Sequence, residues 1–439
     1  NRSEIYVQVR PGNFKSSNLR LFELDKAYED VKALFFDADN DGDQDLLVGS
    51  GGNQYARSSD ILQDRLYVNN GRGTFKLASS ALPNIKENTG TISTADFDAD
   101  GDQDILIGTR NVPGAYGVSA NAYLLENDGN GKFTEATKKY APQLANIGML
   151  TSAIWIQKKD SPYPDLVLVG EWMPLQYFKN ENGKLSLTTD STFKDAGWWQ
   201  SLTAVDLDQD GDQDIVAGNL GENTFLHASE NEPMQLIVKD FDKSGNTDPI
   251  IAMYHTSQAG DKKLYPLYGR DAYVEQMSYI RKSFPTYTDY AGKTLQEVFP
   301  VDENTDFIQK EITELASVVY INEGNGSYKK QELPKQVQTS PLLTSLIYDL
   351  NSDGILDLIT AGNFYGVKPL LGQYDAGVGT VVLSKKNASF QTVPNKTHGL
   401  FLDKEIRNMA VISVGIKDVL VATVNNGTTV FFEIEPTKK

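Results

Sequence analysis

The chain contains no cysteine and only three histidines, His227, His255 and His398. Disulfides, thiol catalysis and zinc–thiolate sites are therefore excluded, and little remains from which to build a histidine metal centre. No apolar run reaches the roughly 18 residues that a membrane-spanning helix needs, so we expect no transmembrane segment in this chain. The sequence begins at Asn1 without an initiator Met or an apolar leader, which favours a processed product or part of a longer polypeptide.

Positive charge is also in short supply. Lys and Arg number 41 against 59 Asp and Glu, which gives a formal net charge of −18. A chain with that charge repels phosphate backbones, so we expect no nucleic-acid partner. Hydrophobic residues make up 40% of the 439 residues, which is enough for a sizeable core, and one large repeat domain of this length is feasible.

An acidic nonapeptide between two short apolar runs recurs along the chain. The complete copies begin at Asp37, Asp96 and Asp206, as in LFFDADNDGDQDLLVG from Leu34. Weaker copies begin at Asp240 and Asp349. Apolar runs of four or five residues on either side of a Gly-containing polar turn predict two strands joined in a hairpin.

A second repeated unit follows several of the first. It is a strand, an Asn/Gly turn and a return strand, as in LYVNNGRGTF from Leu66 and LLENDGNGKF from Leu124. One hairpin of each kind makes four antiparallel strands. Four strands repeated every few tens of residues indicate the blades of a β-propeller.

The repeats predict an all-β fold, a single β-propeller over residues 1–439 with seven four-stranded blades. Degenerate units near residues 155 and 411 join the five acidic copies in this count, and the short gap before Asp240 leaves open that its hairpin belongs to the preceding blade. Residues 1–15 either close the ring against the last blade or follow a blade outside this sequence. Residues 255–315 lack repeat character and predict a partly helical insertion.

The acidic nonapeptide predicts calcium binding. Calcium takes six to eight oxygen ligands, and acidic side chains at positions 1, 3 and 5, Gly at 6 and a carbonyl at 7 can wrap such an ion. The last ligand would be Asp at position 9. Three complete copies favour this reading over ordinary solvated Asp/Gly turns, because five like charges in nine residues repel one another without a cation. We expect three strong sites and two weaker ones, with the degenerate loop near Lys158 free of metal.

The predicted ligands of the complete loops are Asp37, Asp39, Asp41, Asp43, Asp45, Asp96, Asp98, Asp100, Asp102, Asp104, Asp206, Asp208, Asp210, Asp212 and Asp214. Those of the weaker loops are Asp240, Asp242, Ser244, Asn246, Asp248, Asp349, Asn351, Asp353, Ile355 and Asp357.

These repeats resemble the FG-GAP/VCBS repeats of calcium-binding β-propellers. The order of elements, including VGEWMPLQYF from Val169, GWWQSL from Gly197 and AGNLGEN from Ala217, is similar to the C-terminal propeller of large bacterial VCBS-repeat proteins that also carry an ASPIC/UnbV segment. This resemblance implies an exported protein, at the cell surface, associated with the outer membrane as a lipoprotein, or in the periplasm. It also implies membership in a larger outer-membrane complex.

Two functions remain open at this point. The first is a non-enzymatic binding or scaffold module that presents its loops to a protein or glycan partner. The alternative is a carbohydrate-active propeller, either a polysaccharide lyase or a glycan-binding protein. Its candidate residues would be Arg270, Tyr273, Arg281, Trp172, Trp198 and Trp199. Because Trp in propeller strands is more often core and no catalytic set is evident, we expect no enzyme.

Overall fold

A computed structural model describes residues 3–17, 19–302, 304–324 and 326–435. The first fifteen strands are β1 (Ile5–Arg10), β2 (Asn13–Ser17), β3 (Glu29–Phe36), β4 (Asp45–Gly51), β5 (Arg65–Val68), β6 (Lys76–Leu77), β7 (Thr89–Ala95), β8 (Asp104–Thr109), β9 (Ala122–Asn127), β10 (Phe133–Glu135), β11 (Met149–Lys158), β12 (Ser161–Pro174), β13 (Gln176–Glu181), β14 (Lys184–Leu187) and β15 (Ala196–Trp198).

The remaining strands are β16 (Ser201–Val205), β17 (Asp214–Gly218), β18 (Met234–Lys239), β19 (Asp248–Thr256), β20 (Lys262–Pro266), β21 (Ile308–Ile312), β22 (Val318–Asn322), β23 (Tyr328–Glu332), β24 (Leu342–Tyr348), β25 (Asp357–Gly362), β26 (Thr380–Ser384), β27 (Phe390–Val393), β28 (Ile406–Val414), β29 (Lys417–Val424) and β30 (Val430–Ile434).

The helices are short and few. The α-helices are α1 (Leu19–Leu24), α2 (Thr137–Tyr140), α3 (Arg270–Gln276), α4 (Tyr279–Ser283), α5 (Tyr287–Tyr290), α6 (Leu295–Val298) and α7 (Asn395–His398). Single turns of 3-10 helix lie at Asp60–Leu62, Pro142–Leu144, Ser191–Phe193, Val337–Thr339 and Pro369–Leu371. Among the described residues, no helix has the length and apolar character to cross a bilayer.

Six sheets follow one another along the chain. The first three are β3–β6, β7–β10 and β11–β14, with β15 added to the third, and the fourth has the order β16-β17-β22-β23. The fifth is β24–β27 and the sixth is the three-stranded sheet β28–β30. Their first strands contact one another in chain order, β3 with β7, then β11, β16, β24 and β28. The protein is therefore all-β and propeller-like.

The core lies between neighbouring sheets. In β12, Leu166 and Leu168 pack with the second sheet, whereas Val167 and Val169 pack with the fourth. Successive side chains of a strand point to opposite faces, so a second strand that is apolar at every position fills two interfaces at once. This explains why the sequence shows unbroken apolar runs after each acidic turn instead of alternation.

The hairpin that begins with the acidic turn at Asp240 forms a sheet outside this row. Strands β18 to β21 form a separate sheet of order β20-β19-β18-β21, and the chain enters it after β17 and returns at β22. The inserted stretch is thus longer than the predicted range 255–315, because the repeat character of β18 and β19 makes them look like part of a blade. The count of seven blades stays a prediction.

Helices α3 to α6 pack on the inserted sheet. Tyr273 of α3, Ile280 of α4 and Met277 between the two helices are buried with Ile237 and Ile250 of β18 and β19. The other face of the sheet contributes Leu236 and Met253 to a core with Trp172, near the end of β12, and Leu220, which follows β17. The inserted sheet therefore covers the end of the row opposite the acidic turns.

Strands β1 and β2 form a two-stranded sheet of their own among the described residues. The Gln8 side-chain amide donates to the carbonyl of Ser413 at 3.1 Å, and the rings of Phe14 and Phe431 lie 6.5 Å apart. The hydroxyl of Ser17 donates to the carbonyl of Gly73 in the first sheet at 3.1 Å. This hairpin thus lies between the sixth sheet and the first, although it joins neither ladder; residues 1 and 2 of the predicted ring-closing segment lie outside the described residues.

Candidate metal centres

The five acidic turns share one backbone conformation. In each, the N–H of the Gly at position 6 donates to Oδ2 of the Asp at position 1, at 2.8 to 3.1 Å. That Gly has a φ between 86° and 100°, a region that L side chains rarely adopt. Position 4 is left-handed in all five, with φ between 57° and 64° at Asn40, Ala99, Gln209, Lys243 and Ser352. The weaker copies therefore fold as the complete copies do.

Position 5 fixes the second half of each turn. Its side-chain oxygen accepts the N–H of position 7, for example from Asp102 to Asp100 at 3.2 Å and from Ile355 to Asp353 at 2.8 Å. Aspartate, asparagine and serine favour such local bonds to the backbone, which compete with strand pairing. The turn is thus shaped by its own side chains, and in four of the five turns the carboxylates at positions 1 and 3 converge with the one at position 5 or at position 9.

Four turns bring three carboxylates together, each group having ligand atoms within 4.8 Å of one another. Among the described residues these groups are Asp37, Asp39 and Asp41; Asp96, Asp98 and Asp104; Asp206, Asp208 and Asp210; and Asp240, Asp242 and Asp248. The turn at Asp349 does not form such a group. Three of the five predicted ligands of each of these four turns therefore lie close together. Their role as ligands stays a prediction.

Buried oxygens without a hydrogen bond mark the three complete turns. Seven carboxylate Oδ1 atoms there are buried and accept nothing from the described residues. They belong to Asp37, Asp39, Asp43, Asp98, Asp102, Asp206 and Asp208. A buried ionised oxygen without a partner is costly, and hard oxygen donors at this density are what Ca²⁺ prefers. The residues of these turns therefore fit a calcium ion, whereas the two weaker turns show no such atoms.

Burial and mutual repulsion raise the pKa values of the acidic turns. The pKa of Asp102 rises to about 6, first because of burial and then because Asp100, Asp98 and Asp96 lie close. Burial raises the pKa of Asp104 to about 8 and that of Asp214 to about 7, against the lowering effect of backbone hydrogen bonds. A bound divalent cation would act in the opposite direction, because it stabilises the ionised form.

The Asp at position 9 accepts backbone hydrogen bonds without a bound ion. In the second turn, Oδ2 of Asp104 accepts the N–H of Phe97 at 3.3 Å and Oδ1 accepts the N–H of Asn127 at 2.8 Å. Asp45, Asp214 and Asp357 accept the two corresponding amides of their own sheets. Each buried carboxylate thus ties the acidic turn to the third strand of its sheet. A lone pair remains on each oxygen, so a ligand role as predicted for position 9 stays compatible with this geometry.

The weaker turns replace carboxylates by internally bonded groups. Ser244 Oγ accepts the N–H of Asn246 at 3.3 Å, and the Asn351 amide donates to Asp353 at 3.1 Å. Asp349 still accepts the N–H of Gly354. With less charge and, among the described residues, no buried carboxylate oxygen without a partner, these turns offer a poorer cation site than the complete ones.

A lysine occupies the corresponding place in the third sheet, whose turn lacks the acidic motif. The ammonium of Lys158 donates to Oδ1 of Asp165 at 2.8 Å and to the carbonyl of Asn180 at 2.9 Å. Asp165 also accepts the N–H of Asn180 and the hydroxyl of Tyr177, so it corresponds to Asp104 of the second sheet. A side-chain cation therefore provides positive charge beside this carboxylate. The absence of metal from the turn near Lys158 stays a prediction.

Asparagines of the second hairpin connect the first two acidic turns to the next sheet, and sequence reasoning missed them. Nδ2 of Asn127 donates to the carbonyl of Ala38, at position 2 of the preceding turn, at 2.9 Å. Nδ2 of Asn180 donates likewise to the carbonyl of Phe97 at 2.8 Å. The Asn that opens NNGRG, NDGNG and NENGK was the available signal, because the same residue type recurs at the same point of the repeat.

The candidates for carbohydrate chemistry are mostly structural. Trp199 is fully buried, and Trp172 is buried with its Nε1–H donating to the hydroxyl of Tyr116 at 2.9 Å. Trp198 is half-buried and lies 5.5 Å from Trp172, measured between ring centroids. Trp172 and Trp199 are thus core residues, and Trp198 packs partly against the same core as Trp172.

The polar candidates of the inserted sheet do not converge on a cleft. Tyr273 is buried, and Arg270 is buried with its guanidinium donating to the carbonyls of Phe284 and Pro285. Arg281 is exposed. His227 and His255 lie 5.5 Å apart with their rings edge to face, and His398 accepts the N–H of Leu400. No acid–base set is assembled by these residues.

Comparison with known families agrees with the repeat pattern. The family model described as FG-GAP-like repeat matches residues 37–107 and 162–217, together less than half of the chain. These segments carry FG-GAP-like repeats. They include all three complete acidic turns and all of β12 except its first residue. No curated protein matches the sequence significantly.

Three solved structures show low sequence identity and low TM-scores. The V. cholerae biofilm matrix protein Bap1 is 10% identical with a TM-score of 0.33, covering 90% of this chain and 74% of its own. Saccharomyces cerevisiae Sqt1 is 9% identical with a TM-score of 0.40, covering 90% and 85%. The complex of BBS1N with ARL6DN is 10% identical with a TM-score of 0.31, covering 94% and 93%.

Proposed function

We propose that this protein is a calcium-stabilised, non-enzymatic binding or scaffold propeller. The observation that carries the proposal is the set of seven buried, partnerless carboxylate oxygens in the three complete acidic turns. The shared backbone geometry of all five turns supports it, because the carboxylates are held in place before any ion arrives. We expect three strong calcium sites in the turns that contain such oxygens, and two weaker sites in the turns at Asp240 and Asp349.

Bound calcium would stabilise the fold through the hydrogen bonds that tie an acidic turn to the neighbouring strands. Positions 1, 3 and 5 would hold the ion, while position 9 and the asparagine of the next sheet hold the turn. A ligand that binds only the folded state stabilises it by about 2.7 kcal/mol at a concentration 100 times its dissociation constant. Several such sites would make the stack of sheets depend on calcium.

A binding role fits the rest of the molecule better than catalysis does. Candidate catalytic residues are buried in the core or scattered, as described above for Tyr273 and Arg270. Loops on a rigid scaffold commonly carry recognition, so a protein or glycan partner would contact the exposed connections between strands. The structure offers no observation that favours a polysaccharide lyase.

We further propose an exported location, at the cell surface, with the outer membrane or in the periplasm. Extracellular calcium modules have dissociation constants of roughly 0.1 to 1 mM, which suits an external calcium pool. Fractionation of native cells tests the location directly. Recovery of the protein in the cytosolic fraction would contradict it.

Thermal unfolding in calcium, magnesium and chelator tests the metal sites. We expect calcium to raise the melting temperature by several degrees and magnesium to do so less, because Mg²⁺ prefers stricter octahedral geometry and retains its water. Asp98→Asn and Asp208→Asn each remove a charge at position 3 and should reduce the gain from calcium. Asp160→Asn is the matched control, since Asp160 is exposed in the metal-free turn of the third sheet. An identical melting curve in excess chelator would overturn the proposal.

A further inference from the structure

One asparagine side chain joins the first two complete acidic turns. The amide of Asn127 donates one N–H to the carbonyl of Ala38 in the first turn at 2.9 Å, and the other to the carbonyl of Gln103 in the second turn at 3.0 Å. Its Oδ1 accepts the N–H of Asp128 at 2.9 Å, which fixes the orientation of the amide. Asn127 is buried. Both N–H groups of this side chain are therefore used, and they reach different turns.

The connection continues on both sides to the carboxylates at position 9. The N–H of Ala38 donates to Oδ2 of Asp45 at 2.9 Å, and Ala38 itself lies between the predicted ligands at positions 1 and 3. The backbone N–H of Asn127 donates to Oδ1 of Asp104 at 2.8 Å. Asp45 and Asp104 are 0% and 1% exposed. A continuous series of buried hydrogen bonds therefore joins Asp45 of the first turn to Asp104 of the second.

The hairpin turn that follows Asn127 also touches both acidic turns. A Cβ at Gly131 would lie 3.3 Å from the Cβ of Asp39, and a Cβ at Gly129 would lie 3.3 Å from Oδ2 of Asp102. Asp39 and Asp102 each carry a buried Oδ1 that accepts no hydrogen bond from the described residues. The backbone of this hairpin turn therefore packs between predicted ligands of two sites.

On its other side, the second turn is connected to a fixed charge. Nδ2 of Asn180 donates to the carbonyl of Phe97 in the second turn at 2.8 Å, and the backbone N–H of Asn180 donates to Asp165 at 2.7 Å. Asp165 in turn accepts the ammonium of Lys158 at 2.8 Å. Because this cation belongs to the chain, we expect the third-sheet side of the second turn to be the same with and without calcium.

The third complete turn lacks an equivalent bridge among the described residues. Nδ2 of Asn322, at the repeat position of Asn127, donates to the carbonyl of Gln213 at 3.4 Å and to the hydroxyl of Tyr328 at 3.3 Å. Both of these partners lie outside the turn of the preceding sheet. In the fifth sheet the same repeat position is Ser384, whose buried hydroxyl has no partner among the described residues.

A different contact joins the third turn to the fifth sheet. The side-chain amide of Gln209 donates to the carbonyl of Gly354, in the weaker turn that begins at Asp349. This contact is exposed and involves neither of the first two turns. The hydrogen bonds therefore divide the three complete turns into a connected pair and a separate third turn.

We propose that the first and second acidic turns bind calcium with positive cooperativity, and that the third complete turn binds independently of them. This inference rests on the proposed function, because it concerns the same three strong sites. An ion that orders one turn also fixes the groups that Asn127 contacts, so the next ion meets a turn that is already held in place. Coupling between two sites is reciprocal, so each turn raises the affinity of the other by the same factor.

Calcium titration of the intact protein, followed by amide hydrogen exchange, reports each turn separately through residues 37–45, 96–104 and 206–214. Asp39→Asn removes a charge at position 3 of the first turn. It should raise the calcium concentration that protects residues 96–104 by about threefold to tenfold, because the link contributes roughly one hydrogen bond. Asp98→Asn should weaken calcium protection of residues 37–45 by a comparable factor. Neither variant should change the titration of residues 206–214.

Two asparagine variants test whether Asn127 carries the coupling. In a double-mutant cycle, Asn127→Ala should abolish the effect of Asp39→Asn on residues 96–104. Asn180→Ala is the matched control, because it removes the same type of hydrogen bond at the same repeat position, on the side of the second turn that faces the third sheet. It should leave the effect of Asp39→Asn in place, although both asparagine variants lose stability.

Three results would overturn the proposal. They are an unchanged titration of residues 96–104 in Asp39→Asn, an equal shift of residues 206–214, and loss of the coupling in Asn180→Ala as well as in Asn127→Ala. The second and third results would assign the effect to overall stability. In all three cases calcium still protects the turns, so the proposed calcium sites stand. Absence of calcium protection at every turn would contradict the proposed function, and this inference with it.

Discussion

At the scale of single residues, the sheets differ in what lies beside the buried carboxylates of their first turn. Three turns carry carboxylates whose buried oxygens have no partner among the described residues, such as Oδ1 of Asp98. In the third sheet Lys158 supplies an ammonium beside Asp165 instead. Removing one member of a buried pair leaves an uncompensated charge, so these two arrangements should respond differently to calcium.

Lys158→Met should destabilise the protein by about 2 kcal/mol in calcium and in chelator alike, because buried Asp165 loses its charged partner. Chemical denaturation in both conditions measures the effect. Lys159→Met is the control, since that neighbouring side chain is exposed. A loss that appears only in calcium would show that the ammonium does not take the place of a cation.

The raised carboxylate pKa values predict that stability without calcium falls as pH rises, whereas the stabilisation by calcium grows as pH rises. The folded-state pKa values of Asp102, Asp214 and Asp104 are raised to about 6, 7 and 8, so their contribution to stability is present at low pH. Without calcium it is lost as pH rises through that range. Calcium requires the ionised form, so its stabilising effect should grow from about pH 5 to about pH 8. Melting temperatures with and without calcium at several pH values check this, and a gain that shrinks with pH would be inconsistent with it.

At the scale of elements, the unit that repeats is an acidic turn held from two sides. In the turns that begin at Asp37 and Asp96, the Asp at position 9 bonds the third strand of its own sheet, and an asparagine of the next sheet bonds position 2. The residues that form such a turn therefore also form a contact between two sheets. An ion bound by the turn would strengthen contacts between sheets as well as within one.

Asn127→Ala and Asn180→Ala should each lower the free energy of unfolding by about 1 to 2 kcal/mol, because a buried carbonyl of the preceding turn loses its donor. Asn130→Ala is the control, because the Asn130 amide bonds only within its own turn. Equilibrium denaturation measures all three variants. Equal stabilities of Asn127→Ala and Asn130→Ala would argue against a role in joining sheets.

The hairpins and acidic turns were predictable because their shape depends on residue types that are close together in the sequence. Contacts between residues far apart in the sequence were not predictable in this way. The turn from Asp96 to Asp104 closes within nine residues, so its shape follows from residue types alone. The bond from Asn127 to Ala38 spans 89 positions of the chain, and nothing in the sequence pairs those two residues. Lys158 is not part of any repeat motif, so its place beside Asp165 emerges only when the strands are aligned in space.

At the scale of the whole molecule, the insertion between β17 and β22 closes one end of the row of sheets. Leu236 is fully buried there, in the core that β18 to β21 form with the end of β12 and the loop after β17. The acidic turns lie at the opposite end, because they precede the second strand of each sheet. Partners that contact the rim or the acidic end would not compete with the inserted sheet.

Leu236→Ala should destabilise the docked sheet by about 2 to 5 kcal/mol through the cavity it leaves. Limited proteolysis in the exposed turn at residues 257–261 should then become faster than in the wild type. Leu356→Ala is the control, because Leu356 is 37% exposed. Unchanged cleavage in Leu236→Ala would show that this core does not hold the sheet in place.

Equilibrium dialysis of the intact protein against labelled calcium tests the central claim most directly. The account predicts at least three bound ions per chain, one for each turn with buried partnerless oxygens, at Asp37, Asp96 and Asp206. The variant Asp39→Asn, Asp98→Asn and Asp208→Asn combined should lose them, whereas Asp160→Asn should keep them. A wild-type protein that is folded and retains no calcium at millimolar concentration would contradict the account.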